Sequence, residues 1–118
     1  MRPIKPENRI KRRIKELKKI FSIIDEDRLK VVTPLITQVA NMEEQLEQLQ
    51  ADLKITGFVE TYQNGENQSG TKESTVSRAY SSLFKNYVNA IRTLLQCLPD
   101  SAPPEAEDAL MAFIKKRP

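Results

Sequence analysis

Residues 26–56 read EDRLKVVTPLITQVANMEEQLEQLQADLKIT. Val32, Leu35, Val39, Met42, Leu46, Leu49 and Leu53 fall at alternating intervals of three and four. Such a seam, kept over successive heptads, marks a helix packed lengthwise on another. Pro34 would remove one backbone hydrogen bond from the interior of this helix. The sequence therefore predicts either a kink there or a helix start with Thr33 as N-cap. Gly57 suits a left-handed stop, with Phe58 placed to fold back on the last turn.

The seam recurs at 75–98, where Val76, Tyr80, Leu83, Tyr87, Ala90, Leu94 and Cys97 are spaced by fours and threes. Phe84, Ile91, Leu95 and Leu98 widen this second stripe into a broad face. Ser74 is a suitable N-cap and Pro99 a stop. The two helices most simply form an antiparallel hairpin. The second carries more apolar surface than one partner stripe covers. At roughly 25 cal/mol per Å² of apolar area, an uncovered band drives association. A basic N-terminal helix folded back is one cover. Hairpins of several copies side by side are the more economical one, and repeated head-to-tail contact closes into a ring when the rotation allows it.

Between the helices lies GFVETYQNGENQSGTKES, residues 57–74. Asn64-Gly65 is a type I′ turn signal, and Val59–Tyr62 before it suits one strand of a hairpin. The other arm, Glu66–Gln68, is poor in strand formers, so the segment reads as a long polar connection, a kind that is often functional.

Upstream, residues 6–24 show the helical period: Ile10, Ile14, Leu17 and Phe21 share a stripe, with Ile20 and Ile24 at its edge. Pro6 and Glu7 suit a first turn. Downstream, PDSAPP at 99–104 reads as a stiff linker. Residues 105–117 form a short helix, acidic at its start and basic at its end, as the helix dipole favours. The expected fold is all-α in three parts: a basic amphipathic helix at 1–24, a hairpin core at 25–98 with its polar loop, and a linker with a short helix at 99–118.

Composition narrows the function. The 118 residues are 39% apolar and 30% charged, and no run approaches the ~18–20 apolar residues that a bilayer requires. Histidine is absent, which removes imidazole triads and most catalytic zinc sites. The single Cys97 forms no internal disulfide and fits a reducing cytoplasm. The basic start lacks the apolar stretch of a secretory signal. No cofactor, metal or membrane partner is expected.

The net charge of +3 conceals an asymmetry. Residues 1–19 hold nine basic residues against two acidic ones, while 20–60 hold three against eight. A basic head on an acidic body points to a polyanionic partner. Three readings remain open for the head: a solvated face, a surface for a membrane or an acidic protein, or a nucleic-acid contact. For the third, the scarcity of aromatic residues disfavours single-strand stacking and favours duplex backbone. A helical scaffold that docks its basic helix on an acidic protein is the alternative function. Glu43 and Glu47, one turn apart, read as a hydrated face. Tyr80 and Tyr87 read as core, and Cys97 as a small apolar residue with no histidine to activate it. Gly65 and Gly70 do not form a phosphate loop.

The run Gly57-Phe58-Val59-Glu60-Thr61-Tyr62-Gln63-Asn64-Gly65-Glu66-Asn67-Gln68-Ser69-Gly70, followed by Lys72, Ser74, Tyr80, Lys85, Tyr87, Leu94-Leu95 and Leu98-Pro99, resembles the P27 family of phage terminase small subunits. The likeness covers residues 8–99. Thr75 stands where such proteins often have proline. The resemblance implies a non-enzymatic, all-helical subunit of a bacteriophage or prophage, active in the cytoplasm of its bacterial host. It implies assembly into a homo-oligomeric ring, binding of viral double-stranded DNA at the packaging start, and delivery of it to the large terminase subunit. Residues expected to contact DNA are Arg9, Lys11, Arg12, Arg13, Lys15, Lys18, Lys19, Lys115, Lys116 and Arg117. Those expected in the core or between copies are Val39, Met42, Leu46, Leu49, Leu53, Tyr80, Phe84, Tyr87, Ile91 and Leu95.

Overall fold

A computed structural model describes residues 4–63, 65, 68–100 and 102–116. Helix α1 spans Pro6–Ile20 and tightens into a 3-10 turn at Phe21–Ile23. Helix α2 spans Glu26–Thr56, strands β1 and β2 span Val59–Gln63 and Ser69–Glu73, helix α3 spans Thr75–Cys97, and helix α4 spans Pro104–Lys115. The fold is mostly helical. No helix among the described residues is long and apolar enough to cross a membrane.

The heptad stretch is one helix throughout. Its N-cap is Asp25, whose carboxylate accepts from the Arg28 N–H at 2.8 Å, so Thr33 does not start it. Thr33 instead donates its hydroxyl to the Leu29 carbonyl at 2.6 Å. Pro34 sits inside α2. Its ring is exposed, so water has access to the carbonyl side of the helix that lacks a donor there. Helices α2 and α3 run antiparallel. Tyr87 bonds Glu43 and Tyr80 bonds Gln50, so numbers rise on one helix as they fall on the other. Ser74 caps α3 as expected, accepting from the Ser77 N–H at 3.0 Å.

The 57–74 connection adds a small two-stranded sheet to the mostly helical fold that was expected. Its strands pair antiparallel from Val59 opposite Glu73 to Gln63 opposite Ser69. The second strand begins later than the arm considered at Glu66–Gln68, and the turn between strands is longer than two residues. Asn64, Glu66 and Asn67 of the expected turn lie outside the described residues. Ser69–Glu73 has one strand former, Thr71, and the helix ends supply the missing drive. The Ser74 N–H donates to the Phe58 carbonyl at 2.8 Å, which holds the two strand bases together. Tyr62 lies across from Gly70, and a Cβ there would meet its ring at 3.1–3.2 Å. Glycine admits the ring where a side chain would push it away.

At Gly57 the chain leaves α2 with φ 75° and ψ 178°, and its N–H still reaches the Leu53 carbonyl at 2.8 Å. This extended, positive-φ region is essentially reserved for glycine. Gly57→Ala is expected to destabilise by about 1–3 kcal/mol in urea titration. The added Cβ would meet nothing within 4 Å, so the whole effect would be backbone strain. An unchanged midpoint would refute it.

The core lies where both chain ends return. Leu17 and Phe21 from the first helix and turn, Ile36 and Val39 from α2, Leu94 from α3 and Leu110 from α4 are all essentially without solvent contact. Tyr87 and Phe113 close the same cluster. The first and last helices both fold back on the α2–α3 pair, so a single chain covers much of the band expected to face other copies. Toward Thr56, α2 and α3 continue as a two-helix stalk tipped by the β-ribbon. Two shallow grooves there are lined from α2, α3 and the α2–β1 junction only. The long axis of the molecule is 64 Å, against 36 and 22 Å across.

Candidate nucleic-acid interface

Helix α1 starts at Pro6 in its first turn, with Glu7 at its positive end and Lys18 and Lys19 at its negative end. Leu17 and Phe21 set the face that turns inward. Arg13, four residues before Leu17, therefore also turns inward. It is 8% exposed. Its Nε donates to Glu43 Oε1 at 2.7 Å and its Nη2 to Glu43 Oε2 at 2.8 Å. The same Nη2 reaches the Phe113 carbonyl at 2.9 Å, and the guanidinium lies 3.4 Å from the Phe113 ring centroid. The Tyr87 hydroxyl donates to Glu43 Oε2 at 2.7 Å. One carboxylate thus ties α1, α2 and α3 together, and its arginine partner ties in α4. Charge-assisted, bidentate contacts of this kind are the strong ones.

A second arginine is drawn in beside it. Arg9 donates its Nε to Glu44 Oε2 at 3.0 Å and its Nη1 to the Ile4 carbonyl at 2.6 Å. The Glu44 hydrogen bond raises the pKa of Arg9 above its ordinary value, and the charges of Glu44 and Glu47 add to that. Glu47 Oε2 is buried without a hydrogen-bond partner among the described residues.

These contacts correct two expectations. Glu43 is no hydrated face, being 3% exposed. Arg13 is unavailable to a ligand, and Arg9 is half-engaged. A signal was present: Arg9 and Arg13 fall at helical spacing in line with Leu17, and Glu43 sits four residues after Val39 on the α2 seam.

The outer face of α1 is different. Lys11, Arg12, Lys15, Lys18 and Lys19 are exposed, and none forms an ion pair with a described residue. Arg13 holds the last turn of α4 against α1 through Phe113, two residues before exposed Lys115 and three before exposed Lys116. Arg117 lies outside the described residues. Seven of the expected cations are thus exposed, five on α1 and two at the end of α4.

The sequence reading missed a further basic row. Arg78, Lys85 and Arg92, seven residues apart on α3, are all exposed, and α3 contains no Asp or Glu. Their heptad interval was the signal.

Of the residues expected in the core or between copies, Val39, Met42, Leu46, Leu53 and Tyr87 are buried within the chain. Leu49, Tyr80, Ile91 and Leu95 are half-buried, and Phe84 is exposed. The Tyr80 and Phe84 rings stack with centroids 6.0 Å apart. Cys97 is a free, half-buried thiol.

Comparison with protein-family models, curated proteins and solved structures finds no match to this chain in any of the three.

Proposed function

We propose that this chain is a non-enzymatic small terminase subunit. It binds viral double-stranded DNA through the outer face of α1 and the end of α4, assembles with copies of itself, and presents the DNA to the large terminase subunit. The observation that carries this reading is the set of exposed cations on α1 that no described carboxylate pairs, at spacings that put Lys11, Lys15 and Lys18 in one row. Phosphate oxygens take such a row without any base reading, and each neutralised phosphate releases condensed counterion. The inward arginines support it too, because they hold the row rigid. Self-association has its support in the stalk. Its grooves expose Phe58 and part of Tyr80 in one and parts of Leu49 and Leu83 in the other, as side-by-side packing of hairpins requires.

The test is duplex binding by fluorescence anisotropy across salt concentrations. Replacing Lys11, Lys15 and Lys18 by alanine is expected to weaken binding. It is also expected to flatten the log–log salt dependence by up to about 2.7, since each phosphate left without its lysine accounts for about 0.9. A slope equal to that of the unaltered protein would defeat the assignment. Truncating residues 1–19 is not a clean test, because it also removes Leu17 from the core. Light scattering tests the assembly, and a strict monomer at working concentration would remove the ring.

A further inference from the structure

The groove between α3 and α4 differs in character from the rest of the surface. Its floor is Val88, Ile91 and Ile114 beside Tyr87, and Arg92 and Lys115 stand among its lining. Phe84, 38% exposed, forms one end. The groove encloses about 390 Å³, and no carboxylate lines it. Arg92 continues the row of Arg78 and Lys85, with steps of about 10.5 Å along the helix. None of these three side chains is in an ion pair with a described residue.

Charge and polarity together select the occupant. A phosphate backbone would satisfy the cations but gain nothing from an apolar floor. A neutral apolar helix would satisfy the floor and leave the cations unused. A helix with apolar residues at i, i+3, i+4 and i+7 and carboxylates on its flanks satisfies both. We propose that the α3–α4 groove docks an acidic amphipathic helix of a partner protein, with Arg92 and Lys115 on its carboxylates and Val88, Ile91 and Ile114 under its apolar stripe. This surface is separate from the outer face of α1. No residue of α1 lines the groove, but Lys115 belongs to both surfaces, so discriminating substitutions avoid that residue.

The probe is a labelled synthetic peptide of about 20 residues, long enough to form a helix, with leucines at heptad spacing and glutamates on both flanks. A scrambled peptide of identical composition is the control, and anisotropy with the full chain is the readout. The heptad peptide is expected to bind and the scrambled one not. Arg92→Glu is expected to weaken binding by about three- to tenfold. Val88→Asp is expected to weaken it further, with circular dichroism verifying that the variant is folded. Lys15→Glu is expected to leave peptide affinity unchanged while lowering duplex affinity, so failure of this proposal and failure of the DNA reading are distinguishable. Four results would overturn it: equal binding of the scrambled peptide, an unaffected Arg92→Glu variant, displacement of the peptide by duplex in an Arg92-dependent way, or protection of residues 84–92 from hydrogen exchange that rises with protein concentration alone. The third would assign the groove to nucleic acid, and the fourth to a second copy of this chain.

Discussion

Replacing Glu43 by alanine is expected to destabilise the fold by about 3–5 kcal/mol in urea titration. The carboxylate accepts two bonds from Arg13 and one from Tyr87, all at 2.7–2.8 Å. Its removal leaves the buried guanidinium only the half-exposed Glu16 carboxylate, 3.8 Å away, as counter-charge, so most of the desolvation cost of that ion is no longer offset. The magnitude separates this pair from ordinary surface pairs, which contribute about 0–1 kcal/mol. Two companion variants sharpen the result. Tyr87→Phe removes the hydroxyl's bond to the charged Glu43 acceptor and should cost about 1.5–3 kcal/mol. The double variant Arg13→Met/Glu43→Leu should recover most of the stability, because removing both charges strands neither. A Glu43→Ala effect below about 1 kcal/mol would mean that the pair behaves as a solvated one.

Phe21→Ala is the second large effect, with an expected destabilisation of about 3–5 kcal/mol. The ring has no solvent contact and sits where α1 tightens into its 3-10 turn, so the cavity lies at the junction of the first two helices. Val31→Ser makes the contrast. That side chain is 79% exposed, and the change should fall within about 0.5 kcal/mol. Since Phe21 anchors α1 to the bundle, weaker duplex binding in Phe21→Ala should follow the unfolded fraction and not the salt slope. Parallel denaturation and binding curves check this.

Residues 26–56 were readable because a heptad seam and a glycine one step behind agree, although the capping aspartate one step ahead was passed over for Thr33. Ser74 and Pro99 bracket the third helix for the same reason. The ribbon was hidden because Ser69–Glu73 has almost no intrinsic strand preference. Its pairing is imposed by two long helices that deliver the chain ends side by side, and helix packing is not a local signal. Pro34 misled in the other direction. An exposed proline face is tolerated once packing elsewhere fixes the helix. At the candidate site, the outer lysines of α1 followed directly from charge and period. Arg13 did not, because a cation on an apolar stripe has meaning only when its partner is known, and Glu43 lies thirty positions away. The seating of the last turn of α4 against α1 involves the arginine of that same buried pair.

The stalk and ribbon act mechanically as a lever. About 13 helical residues beyond Glu43 and five strand residues give an arm of roughly 35 Å. A tilt of about 10° at the base would sweep the ribbon tip through about 6 Å on that arm. The arm is anchored at the Glu43–Arg13–Tyr87 knot, where four helices are tied. A load applied at the tip would therefore bend the arm or turn the bundle as one body.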